Sequence, residues 1–137
     1  MNFNDTLVGW NVLIVDDEED SLDVARRLVK KTGATVYTAS NGEEGLEQVR
    51  QVPPHFIISD LSMPVMDGWI FIQMLNDNRA TAQIPVIALT AHGMAGDRER
   101  AMQAGFVNYI TKPLDPSKFL EQLLLILEAI PELALYR

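Results

Sequence analysis

Five short aliphatic segments punctuate this sequence, and each runs out into polar or charged residues. Val12-Leu13-Ile14-Val15 meets Asp16-Asp17-Glu18-Glu19, residues 34–38 form a second segment, and residues 55–58 lead to Asp60. Residues 84–89 end at Thr90, and residues 106–110 precede Thr111-Lys112. Short uninterrupted β-branched runs belong to strands buried on both faces, with their C-terminal ends reaching solvent. Between them the period changes to that of a helix. Strands alternating with helices at this spacing require right-handed crossovers. The predicted fold is therefore α/β, a (βα)5 chain with a doubly wound parallel five-stranded sheet in a three-layer α/β/α sandwich.

The helices carry their own start and stop signals. Residues 21–31 place Leu22, Ala25, Leu28 and Val29 on one face, end in basic residues, and meet Gly33. Ser40 with Glu43 suggests a capping box for the second helix, whose apolar positions are Leu46 and Val49. A third helix runs through Trp69, Ile70, Ile72, Met74 and Leu75. A fourth, over residues 97–104, offers Ala101, Met102 and Ala104 as inner positions. Asp115 as N-cap with Pro116 at the first helical position opens a fifth helix that reaches about residue 130, where Pro131 stops it.

Composition narrows the function. The chain has 137 residues, expected to form a single domain (1–137) with a core over about residues 10–130 and a short tail over 131–137. Its net charge of −8 argues against a broad nucleic-acid footprint. With no cysteine, disulfides, thiolate metal sites and cysteine nucleophiles are excluded. No apolar run reaches the ~18 residues of a membrane span, and Met1-Asn2-Phe3-Asn4-Asp5 lacks the basic start of a signal peptide, so a cytoplasmic location without membrane insertion is expected.

In open parallel sheets, function collects at the C-terminal strand ends. Asp16 and Asp17 follow the first strand, Asp60 the third, Thr90 the fourth and Lys112 the fifth. Any one of these alone is an ordinary solvated residue, but together they converge on one edge. Three carboxylates repel one another, and a hard cation relieves that cost. An open, all-oxygen site suits Mg²⁺. One carboxylate can then attack phosphorus while the cation, a lysine and a threonine hydroxyl meet the phosphoryl oxygens. Glu18 and Glu19 are read as helix-start and surface charges.

These residues resemble the receiver domains of two-component response regulators. The matching pieces are LIVDDEED (residues 13–20), ISDLSMPVMDGW (58–69), VIALTAHG (86–93) and AGFVNYITKPLD (104–115), in order over about residues 10–130. The resemblance implies a flavodoxin-like sheet and a signalling switch rather than a turnover enzyme. Asp60 would be the phosphoacceptor, taking a phosphoryl group from a phosphohistidine on a sensor histidine kinase or histidine phosphotransfer protein. Asp17 would bind Mg²⁺ directly, Asp16 through water, and the Ser62 carbonyl would complete the protein ligands, with Mn²⁺ able to substitute. Thr90 and Lys112 would hold the acyl phosphate, and Thr90 with Tyr109 would form the switch. Pro113 matches a proline that usually follows a cis peptide, and Met63, Pro64 and Gly68 match the loop that shapes the site. Ser62 and His92 occupy positions that tune dephosphorylation in the family. The signal would leave through the fourth helix, fifth strand and fifth helix toward a downstream protein target.

The fifth helix has a surplus of leucine. Leu123 to Leu127 is a continuous apolar run spanning more than one turn, so Leu124 or Leu125 should face outward. Scattered surface leucines are one reading; a contact surface for a homodimer or a partner protein, extended by the tail, is the other. Trp69 is expected to pack beside the third helix and Trp10 near the first strand. Two other functions remain open, a phosphate-independent interaction module on the same fold and a small Mg²⁺-dependent phosphotransfer or phosphatase enzyme. So does the choice between a stand-alone protein and a domain of a longer regulator or hybrid kinase.

Overall fold

The computed structural model describes residues 3–91 and 95–136, with the side chains of 95–97, 135 and 136 left aside. Its elements follow the alternation: β1 (Asn11–Val15), α1 (Glu19–Lys30), β2 (Thr35–Ala39), α2 (Gly42–Gln51), β3 (Phe56–Asp60), α3 (Gly68–Asn76), β4 (Val86–Thr90), α4 (Ala95–Ala104), β5 (Asn108–Thr111) and α5 (Phe119–Glu128). A 3₁₀ helix over Pro131–Tyr136 follows. The five strands form one parallel sheet in the order β2-β1-β3-β4-β5. The chain winds outward from β1 to β2, then returns past β1 to β3. The reversal of winding direction therefore lies between β1 and β3, whose ends carry Asp16, Asp17 and Asp60.

The pleat divides the apolar residues between two layers. Val12, Ile14, Ile58, Ile87 and Leu89 face α1 and α5, where Leu28, Val29, Leu120, Leu123 and Leu127 are buried. Leu13, Val15, Ile57, Val86 and Ala88 face the other way, against Val49, Phe71, Ile72, Leu75 and Ala101 of α2, α3 and α4. Successive residues alternate between layers because a strand has a period of two. Fully burying each aliphatic side chain contributes roughly 1.5–3 kcal/mol, so both layers are needed to hold the strand ends in place.

Several local expectations shift. The second helix is capped by Asn41, not Ser40: Asn41 Oδ1 accepts the Glu44 N–H at 2.9 Å, and Glu44 Oε1 accepts from Ser40 N and Oγ at 3.1 and 2.9 Å. The reciprocal pair is thus displaced by one residue, because the extended backbone at Asn41 aims its side chain at the third helical N–H. Asp115 caps a tight turn, not the fifth helix itself. Its Oδ1 accepts from Ser117 N and Oγ, its carbonyl takes the Lys118 N–H at 3.0 Å, and α5 begins only at Phe119.

Of the inner positions expected on the fourth helix, Met102 is 47 % exposed, and on the third helix Ile70 and Met74 are 46 and 44 % exposed. On α4 the inner face is set by Ala101, and Met102 lies a further third of a turn around toward solvent. On α3 the buried face is Phe71, Ile72 and Leu75. Leu133 of the tail, with Ile130 just before it, enters the α1–α5 core. Trp10 is buried there too, its ring 6.0 Å from that of Phe56.

Candidate functional site

β1 ends at Val15, and the Asp16 N–H still reaches the Ala39 carbonyl at 3.0 Å, so sheet geometry carries one residue further. The Asp16 side chain is fully buried, and its Oδ1 accepts the Glu18 N–H at 3.0 Å. Asp17, the next residue, is exposed. Asp60 closes β3 and is buried, with Oδ1 accepting the Leu61 N–H at 2.7 Å and approached by Ser62 N at 3.4 Å. Ligand oxygens of Asp16, Asp17 and Asp60 all lie within 4.8 Å of one another.

Lys112 follows β5, its N–H held on the Thr90 carbonyl at 2.7 Å. Its buried ammonium lies 3.1 Å from Asp60 Oδ2, 2.9 Å from Asp16 Oδ2 and 2.9 Å from Glu18 Oε1. The Asp16 contact is an ion pair at short distance without hydrogen-bond geometry, which leaves Oδ2 a buried acceptor with no hydrogen bond among the described residues. The Thr90 hydroxyl is likewise buried with no hydrogen-bond partner among the described residues.

These contacts set the electrostatics. Burial is the main force on Asp16, and the neighbouring Asp60 charge adds to it. The Glu18 N–H and Lys112 offset only part, so its pKa rises from 3.8 to about 6. Burial pulls the Lys112 ammonium down, but its bond to Glu18 and the nearby charges of Asp16 and Asp60 outweigh this, so its pKa is raised. Glu18 is held below the usual carboxylate range by its bond to Lys112. One ammonium among four carboxylates leaves the pocket negative. A resident acid resisting ionisation, an unsatisfied carboxylate oxygen and an all-oxygen donor set fit a hard divalent cation such as Mg²⁺.

The loop after Asp60 is fixed by close backbone packing. A Cβ on Gly68 would run into the Asp60 carbonyl oxygen, and the Gly68 N–H bonds the Leu61 carbonyl at 3.0 Å. Only a glycine lets α3 start this close to β3. Gly42 does the same on the other side, donating to the Met66 carbonyl at 2.8 Å. Val65, at the tip of the loop, is 76 % exposed and holds φ +67°. The Lys112–Pro113 peptide is cis.

The sequence-derived residues therefore divide. Asp16, Asp17, Asp60 and Lys112 come together, and Ser62 sits beside Asp60. Tyr109 is half-buried and pairs with Ala88 in the sheet, so the pleat puts it on the same sheet face as Thr90. The Arg98 guanidinium lies 5.2 Å from the centre of its ring. Leu125 is 61 % exposed and lines a cleft of about 450 Å³ with Arg98, Tyr109, Pro113, Asp115 and Ile126. Leu124 is half-buried on the other flank of α5, beside Leu7 and Trp10. Trp69 packs edge-on to Phe106 at 6.0 Å, with Arg100 4.0 Å over its ring. His92 lies outside the described residues. Glu18, read from the sequence as a helix-start or surface charge, is the N-cap residue of α1 and 63 % exposed, and its carboxylate also reaches Lys112. The one signal for it was its place on the loop immediately after the acidic pair.

Residues 12–124 match the response regulator receiver domain. A 14.6 kDa protein of Leptolyngbya boryana is 38 % identical over 81 % of this chain and 85 % of its own length. The polar-differentiation response regulator DivK of Brucella anthropi is 36 % identical over 81 % of this chain and 90 % of its own. The structure of the chemotaxis response regulator CheY4 of Vibrio cholerae superposes with a TM-score of 0.80 at 26 % identity, covering 85 % of this chain and 98 % of that one. Among the described residues no helix is long and apolar enough to cross a membrane.

Proposed function

The chain belongs to the response regulator receiver domain family, with a doubly wound flavodoxin-like fold, and from that membership we propose that Asp60 is the phosphoacceptor of its signalling switch. Receivers are switches, not turnover enzymes. The observation that carries the assignment is the Asp60 carboxylate, buried at a strand end with Lys112 Nζ 3.1 Å from its Oδ2.

In this reading an Asp60 oxygen attacks phosphorus in line, and the P–N bond of a phosphohistidine breaks with its electron pair leaving on the imidazole. Asp16, Asp17, Asp60 and the Ser62 carbonyl would hold Mg²⁺, or Mn²⁺ in its place, which neutralises the phosphoryl oxygens. Lys112 donates to one of those oxygens, and the Thr90 hydroxyl, which has no hydrogen-bond partner among the described residues, turns to another. Tyr109 follows on the same face of the sheet, which biases the surface of α4, β5 and α5 toward a second arrangement.

A sensor histidine kinase or histidine phosphotransfer protein would supply the phosphoryl group in the cytoplasm. The cleft beside Leu125 would meet a downstream protein, or a second copy of the chain through α5. The test is intact-mass measurement after incubation with phosphoramidate and Mg²⁺. The wild type gains one phosphoryl group, and Asp60→Asn gains none. Equal labelling of both proteins, or failure of the folded wild type to label, overturns the assignment.

A further inference from the structure

We propose that Glu18 is a positioning residue for phosphoryl transfer: it is the exchangeable member of the three carboxylates that share the Lys112 ammonium, and its charge makes the site resist donors according to their negative charge. This rests on the reading of Asp60 as phosphoacceptor.

An ammonium has three N–H donors, and Lys112 faces three carboxylates within 3.1 Å. Two are fixed. Asp16 is buried and anchored by the Glu18 N–H, and Asp60 is buried and anchored by the Leu61 N–H. Glu18 differs. Its side chain is 63 % exposed, it makes no capping bond at the start of α1, and its carboxylate has Lys112 as its one partner among the described residues. A phosphoryl group on Asp60 brings oxygens that need a Lys112 donor. The acceptor able to swing away without unmaking the sheet edge is Glu18. Its carboxylate stays at the mouth of the pocket, where it repels an arriving anion.

Two small donors separate this charge effect from a general one. In both, an Asp60 oxygen bonds to phosphorus. The P–O bond of acetyl phosphate breaks with its electron pair leaving on acetate. The P–N bond of phosphoramidate breaks with the pair leaving on a nitrogen that departs as ammonia. Near neutral pH the first donor is a dianion and the second a monoanion, so removing the Glu18 charge favours the first more.

The experiment compares wild type, Glu18→Gln and Glu18→Asp at saturating Mg²⁺ by rapid quench and intact mass. Glu18→Gln is expected to label about five-fold faster with acetyl phosphate and about two-fold faster with phosphoramidate. The gain appears in the apparent donor affinity, not the maximal rate, and shrinks as salt is added. Glu18→Asp, which keeps the charge, keeps the wild-type ratio between donors. An equal change with both donors, or slower labelling of Glu18→Gln by acetyl phosphate, overturns the inference while the phosphoacceptor reading stands. A folded wild type that neither donor labels overturns both.

Discussion

Replacing Asp16 by asparagine should make the metal-free protein more stable while removing its response to Mg²⁺. The Asp16 carboxyl is buried and its pKa is raised from 3.8 to about 6, chiefly by that burial. Ionising it in the folded protein at neutral pH therefore costs on the order of 3 kcal/mol. Asparagine keeps an oxygen for the Glu18 N–H, which now bonds Asp16 Oδ1 at 3.0 Å. Its amide NH₂ would face the Lys112 ammonium in place of Oδ2, at a cost of roughly 1 kcal/mol. The net gain is about 2 kcal/mol, or about 6–10 °C in Tm for a domain of this size.

The pH dependence has a definite sign. A folded-state pKa above the unfolded one means that the native protein holds the proton more tightly, so the wild type gains stability as pH falls from above 6 toward 3.8. The advantage of Asp16→Asn should be full at about pH 7.5 and mostly gone at about pH 4. Thermal unfolding followed by circular dichroism in EDTA measures this, and repeating it with Mg²⁺ should raise the Tm of the wild type alone. A variant no more stable than wild type at the higher pH would refute the argument that the pocket stores unrelieved carboxylate burial.

The other predictions separate scaffold from switch. Gly68→Ala should cost about 1–3 kcal/mol, because its methyl meets the Asp60 carbonyl; urea denaturation checks this, and labelling of Asp60 should slow in the same variant. Thr90→Val removes a buried hydroxyl with no hydrogen-bond partner among the described residues, so stability should hold or rise by about 1 kcal/mol, while the phosphorylation-dependent change in the Tyr109 environment, read by NMR, should disappear. Asn41→Ala removes the bond to the Glu44 N–H and should cost about 1 kcal/mol without altering labelling by phosphoramidate.

The strand ends were legible in the sequence because each was marked twice, by an abrupt change from aliphatic to polar residues and by a change of period. Asp16, Asp17, Asp60, Thr90 and Lys112 needed only the topology to bring them to one edge. The inner face of α4 was not legible: around Ala101 and Ala104 the helix is mostly charged and small, so no apolar stripe sets Met102 apart. The leucines of α5 were half legible. Their run announced that one must face out, but Leu124 packs against the core cluster that holds Leu7 and Trp10, residues from the far end of the chain that no local pattern encodes. Glu18 was missed because an acid at a helix start is ordinary, and only the fold reveals a lysine 94 residues away beside it.

The acyl phosphate itself offers the most direct test. Borohydride reduces an aspartyl phosphate to homoserine, and peptide mass mapping then locates the modified position. After treatment with phosphoramidate and Mg²⁺ the expected result is a single conversion, at Asp60. Conversion at Asp16, Asp17 or any other carboxylate instead would contradict it.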